Sequence, residues 1–181
     1  AQSCPELHMF VDQSGSTYMR GLKSAVAGVI RDLPQMVETY GICKIKGYAF
    51  AANGWQSTLI VDVTIPQYVE PTPEEPKHKH IDIVAPKLAE KRRERAERKY
   101  AAAQEAAKAA YAEAVQDALA KVSIDALTIS TLKSNELTCS AIQDSLERVR
   151  SLRAEAQTYV LYMSDMEESC IAWKTRKAVP P

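Results

Sequence analysis

Glu6-Leu7-His8-Met9-Phe10-Val11-Asp12-Gln13-Ser14-Gly15-Ser16 is the stretch on which the fold turns. A short, mostly apolar run closed by an acid predicts a buried strand that stops at a turn. Past Ser16 the period changes. Met19, Leu22, Val26, Val29, Ile30 and Leu33 recur at intervals of three and four, which predicts an amphipathic helix over 17–33, ended by Pro34.

Two β-prone runs follow, 42–50 and 59–65, separated by a stretch containing Asn53-Gly54. Asn-Gly between such runs is a hairpin signal, because both residues tolerate the positive φ of a type I′ turn. From 66 to 86 the chain holds Pro66, Pro71, Pro73, Pro76 and Pro86 among glutamates, a composition that disfavours helix and central strand alike. It is expected to be an exposed connector.

Residues 87–122 contain no Gly or Pro and consist of strong helix formers. A single helix of roughly 50 Å is predicted at 1.5 Å per residue. Its first part, 87–99, carries seven Lys/Arg and three Glu, while Tyr100, Ala103, Ala107, Tyr111, Val115 (or Ala114) and Leu119 (or Ala118) form an apolar stripe in the second. The second half is therefore expected to dock and the first to project. A further helix is predicted over 137–156 from Ile142, Leu146, Val149, Leu152 and Ala156, and a buried strand over 158–163 that again runs into an acid, Asp165.

Strands alternating with helices imply an α/β layered, mainly parallel sheet with one antiparallel strand from the hairpin. The expected organisation is 1–66 as the first part of the domain, 67–86 as connector, 87–122 as long helix and 123–181 as the remainder. With 181 residues, 23 Lys+Arg against 23 Asp+Glu and 46% hydrophobic residues, a chain of this size can build a real core. Zero net charge removes the simplest electrostatic case for nucleic acid, and no apolar run approaches the length of a bilayer span.

Ligands of α/β sheets bind beyond the carboxyl ends of strands, and Asp12 and Asp165 stand at two such ends. Ser14 and Ser16 add hydroxyls to the Asp12 turn. Oxygen-only donors suit a hard cation, Mg²⁺, Mn²⁺ or Ca²⁺, and do not suit zinc or copper. A serine on such a turn can equally cap the following helix.

Asp12-x-Ser14-x-Ser16 resembles the D-x-S-x-S signature of the von Willebrand factor A (VWA) domain, whose metal-ion-dependent adhesion site (MIDAS) is built from three loops. The resemblance implies a VWA/Rossmann-like sheet, with Asp12, Ser14 and Ser16 from the first loop and Asp165 from the last. Thr138, or failing that Thr131, would come from the loop before the 137–156 helix. It also implies an interaction or adhesion module in which a partner protein offers an acidic side chain to the ion, and not an enzyme. Lengthened Ala- and charge-rich helices are similar to those of some bacterial VWA proteins. A VWA domain normally adds strands beyond the point where this chain ends, so C-terminal strands are expected to be missing. The Asp12 loop also resembles the D-x-D-G-T loop of haloacid-dehalogenase-like phosphohydrolases, with Asp12 as nucleophile and Asp165 on Mg²⁺, yet Ser14 cannot supply the general acid of those phosphatases. A structural protein assembling through the long helix is the remaining alternative.

Four cysteines, Cys4, Cys43, Cys139 and Cys170, show no zinc spacing. The expected topology places Cys4 and Cys43 at one end of the sheet and Cys139 and Cys170 at the metal end, so Cys4–Cys43 and Cys139–Cys170 pair neighbours. An extracytoplasmic location is expected, because the chain begins at Ala1 in the manner of a processed form. His78 and His80, flanked by lysines, are expected to lie in a solvated loop.

Overall fold

The computed structural model describes residues 4–15, 21–51, 57–73, 86–129, 132, 141–152 and 157–165. Strands β1 (Glu6–Asp12), β2 (Lys44–Phe50), β3 (Thr58–Thr64) and β4 (Thr158–Met163) form a sheet of order β3-β2-β1-β4. β1 runs parallel to both β2 and β4, and β2 pairs antiparallel with β3. The fold is thus α/β with a mixed, mainly parallel sheet, as the alternation of strands and helices predicts.

Side chains alternate across the sheet. Leu7, Met9 and Val11, all fully buried, line one face, together with Ile45 and Ala49 of β2. Helices α1 (Leu22–Tyr40) and α3 (Ile124–Thr128) pack on this side. The Tyr40 ring lies 4.8 Å from that of Tyr159, and a Cβ on Gly47 would meet Leu127 Cδ2 and Val61 Cβ at 3.0 Å, so this glycine is what lets α3 approach the sheet. On the opposite face Phe10 and Phe50 form a cluster with Ile142, joined by Leu146, Val149 and Leu152 from helix α4 (Ile142–Arg150) and its end. Tyr48 and Tyr162 complete it as a row of stacked and tilted rings. The Ser145 and Tyr162 hydroxyls are hydrogen-bonded across this packing.

Helix α1 does not stop at Pro34. It runs on to Tyr40 and ends at Gly41, which takes the left-handed conformation (φ 63°) and donates its N–H to Val37 O. Proline removes one helical hydrogen bond, but Leu33 and Val37 are buried beside it, and burying two such side chains contributes about 1.5–3 kcal/mol each. The apolar face outweighs the breaker. Helix α4 also corrects its prediction: it begins at Ile142 and is closed at Ser151, whose N–H returns to Glu147 O and Arg148 O, five residues short of Ala156. The short α3 was not foreseen. Ser123 creates it by accepting a hydrogen bond from Ala126 N at 3.0 Å, the ordinary N-cap device.

The chain divides into two compact units, one from the stretches up to Ile65 and from Gln116 onward, the other Pro66–Val115. The second is built on the long helix α2 (Pro86–Ala120). The connector is not merely exposed; residues of 66–73 dock on this helix. Tyr100 Oη and Gln104 Nε2 both donate to Glu70 Oε1 at 2.9 Å, and the Tyr68 ring meets Tyr111 edge-on at 5.8 Å. Tyr100 and Tyr111 of the expected stripe are therefore used, whereas Ala103 is exposed. Within the charged half only Ala89 and Ala96 are shielded from solvent.

Cys4 and Cys43 are joined by a disulfide with a Cα–Cα separation of 6.0 Å. Cys139, Cys170, His78, His80 and the Asn53-Gly54 turn lie outside the described residues.

Candidate metal site at the carboxyl end of the sheet

β1 and β4 are in register with Val11 opposite Met163. Asp12, the last residue of β1, and Ser164, the first residue after β4, consequently meet at this end of the sheet. Ser164 Oγ donates to Asp12 Oδ2 at 2.7 Å, and the Ser14 N–H donates to Asp12 Oδ1 at 2.9 Å. Asp12 is fully buried and Ser14 almost so. The parallel register thus brings the first and last expected loops together through a side chain that the sequence reading did not single out, Ser164. Its only signal was its place between an apolar strand and Asp165.

Gln13 is the second residue missed. It faces away from solvent, its backbone N–H donates to Phe50 O at 2.9 Å, and its side-chain amide donates to Leu127 O at 3.0 Å. These bonds tie the turn after β1 to β2 and to α3, so the Asp12 loop is fixed from both sides.

Beside Ser164 and Asp165 a pocket of about 260 Å³ opens towards the start of α1, lined also by Gly21, Leu22, Ala25 and Met163. The positive end of a helix dipole favours anionic groups in such a place. Gly21 caps α1 without any side-chain bond, in a left-handed conformation (φ 103°).

Of the five expected ligands, Asp12, Ser14 and Asp165 fall among the described residues, at the same end of the sheet; Ser16 and Thr138, and the fallback Thr131, lie outside them. The donors present are oxygens only, two of them carboxylates, which fits a hard divalent ion. Among the described residues no three His, Cys, Asp or Glu side chains gather at one point, so a cation here would depend on hydroxyl ligands as well. No helix among them is long and apolar enough to cross a membrane. The chain matches no family model, no curated protein and no solved structure.

Proposed function

We propose that the chain is a metal-dependent protein-interaction module that holds Mg²⁺ or a similar divalent ion at the carboxyl end of β1 and β4 and engages an acidic side chain of a partner there. The observation that carries this reading is the Ser164–Asp12 hydrogen bond, which joins the Asp12-x-Ser14-x-Ser16 turn to the Ser164-Asp165 turn around a buried carboxylate. Asp12, Ser14 and Asp165, with Ser16 and Thr138, would hold the ion. With few charges among its ligands the ion would remain electrophilic and could draw in one more carboxylate.

Binding is favoured over phosphoryl transfer because Ser14 stands where the phosphatase loop carries its general acid, and a serine hydroxyl cannot protonate the leaving group. The Cys4–Cys43 disulfide supports an oxidising, extracytoplasmic compartment.

The test is thermal unfolding with and without millimolar Mg²⁺ or Mn²⁺. A ligand that prefers the folded state at a hundred times its dissociation constant stabilises by about 2.7 kcal/mol, so the melting temperature should rise by several degrees. Asp12→Ala should fold with a lower melting temperature and show no rise. An unchanged wild-type curve would remove the metal, and a response that survives Asp12→Ala would place it elsewhere.

A further inference from the structure

We propose that helix α2 pairs antiparallel with α2 of a second copy of the chain, along the face that carries Lys91, Arg95, Glu113 and Asp117. At about 100° per residue, and taking Lys87 as zero, these four residues lie between about 40° and 120° around the helix, with Ala102 and Ala106 between them. All six are exposed. The buried and half-buried residues of the helix, among them Ala89, Ala96, Tyr100, Tyr111, Ala118 and Leu119, lie between about 180° and 320°, on the other side. These six positions are therefore open to solvent.

Its charges are segregated by sign. Residues 87–99 carry seven Lys/Arg and three Glu, and the three, Glu90, Glu94 and Glu97, lie between about 280° and 340°, off this face. Residues 100–120 carry Lys108 against Glu105, Glu113 and Asp117. Basic residues towards a helix N-terminus and acidic residues towards its C-terminus are the reverse of what the helix dipole rewards, and neither the first turn has an acid nor the last turn a base. The helix's own stability does not explain the pattern.

An antiparallel copy does. Centred at Gln104, it sets Lys91 opposite Asp117, Arg95 opposite Glu113 and Ala102 opposite Ala106, each contact occurring twice by two-fold symmetry. The two dipoles then oppose each other, the ion pairs flank the centre, and the alanines there allow close approach. Intrahelical partners do not compete strongly, since Arg98–Glu94 at 4.0 Å and Lys108–Glu105 at 3.1 Å involve other residues. A nucleic acid or an anionic membrane would be served by the basic half alone and would leave Glu113 and Asp117 as repelling groups.

Sedimentation velocity on the full chain, over a concentration series at low and high salt, reads the association directly. The wild type should form a dimer that weakens as salt rises. One variant, Lys91→Glu with Arg95→Glu, makes the four pairing positions all acidic; a second, Glu113→Arg with Asp117→Lys, makes them all basic. Each alone should dissociate at least tenfold more readily than wild type, with unchanged circular dichroism because the positions are exposed, and the equimolar mixture should form a heterodimer. A wild type that stays monomeric throughout overturns the proposal, as does a dimer indifferent to either reversal or a mixture that does not pair. Loss of retention on a heparin column by the acidic variant of a monomeric wild type would assign the basic half to a polyanion instead. None of these outcomes depends on the metal site, because the measurements are made without divalent ions.

Discussion

Glu6 and Asp12 occupy the two ends of β1 and show how differently one strand can treat a carboxylate. Asp12 is enclosed and hydrogen-bonded by its own loop and by Ser164. Glu6 sits at the other end, with His8 Nε2 at 2.9 Å and Lys46 Nζ at 3.1 Å from the same oxygen. Burial pushes the Glu6 carboxyl up, but the hydrogen bonds from His8 and Lys46 outweigh it and hold the group below its usual 4.5. A carboxylate depressed in the folded state stabilises fully above the unfolded value and loses that contribution as pH falls through the lowered one. Glu6→Gln should therefore cost stability at neutral pH and show a shallower loss than wild type below pH 4.5, as measured by urea unfolding at a series of pH values; parallel acid limbs in the two proteins would count against this role. The pairing across β1 and β2 was not visible in the sequence, since it depends on the register that sets His8 beside Lys46. Ser164 escaped notice for the same reason. Asp12 and Ser14 were legible because they are local to one turn.

At the scale of elements, periodicity marked the strands and the long helix well, and the mistakes lie where two local signals opposed each other. Pro34 reads as a stop, yet Val37 continues the buried face of α1 beyond it, and Gly41 supplies the actual end. In α4 the apolar periodicity reaches Ala156, but the turn at Ser151 intervenes, with the Ser151 hydroxyl donating to Arg148 O at 2.7 Å. α3 is too short for any periodic signal, and its one cue was the capping serine. Pro34 is exposed, so its side chain contributes little packing while its ring still removes a helical hydrogen bond. Proline inside a helix is about 3 kcal/mol less favourable than alanine, though a helix already adapted to it has relieved part of the clash. Pro34→Ala should raise the free energy of unfolding by about 1–3 kcal/mol without altering the response to divalent ions. Urea denaturation checks the first part. A loss of stability would mean that the proline shapes α1 in a way the rest of the sheet requires.

Across the whole molecule, the parallel pairing of β1 and β2 requires a crossover, and α1 supplies it. Cys4 precedes β1 and Cys43 precedes β2, so their disulfide ties together the starts of the two parallel strands, at the end of the sheet remote from Asp12. The Cys43 N–H also donates to Pro5 O at 3.0 Å and Cys43 O accepts from Ile65 N at 2.7 Å, which sets the junction into the sheet through backbone bonds that do not need the sulfurs. The bridge spans a sequence separation of 39. Closing a loop of that size in the unfolded chain is worth about 4 kcal/mol on the chain-entropy model. Replacing both cysteines, Cys4→Ala with Cys43→Ala, should therefore lower the free energy of unfolding by about 2–4 kcal/mol while leaving the native sheet in place, because the cost falls on the unfolded chain and the backbone bonds at the junction remain. Equilibrium unfolding in urea gives the size of the effect, and far-ultraviolet circular dichroism confirms that the secondary structure is kept. The remote carboxyl end supplies the control. If the double variant retains the melting-temperature rise with Mg²⁺, the bridge acts on global stability alone; if that rise is lost while the circular dichroism is unchanged, the two ends of β1 are coupled, and the disulfide also sets the geometry around Asp12.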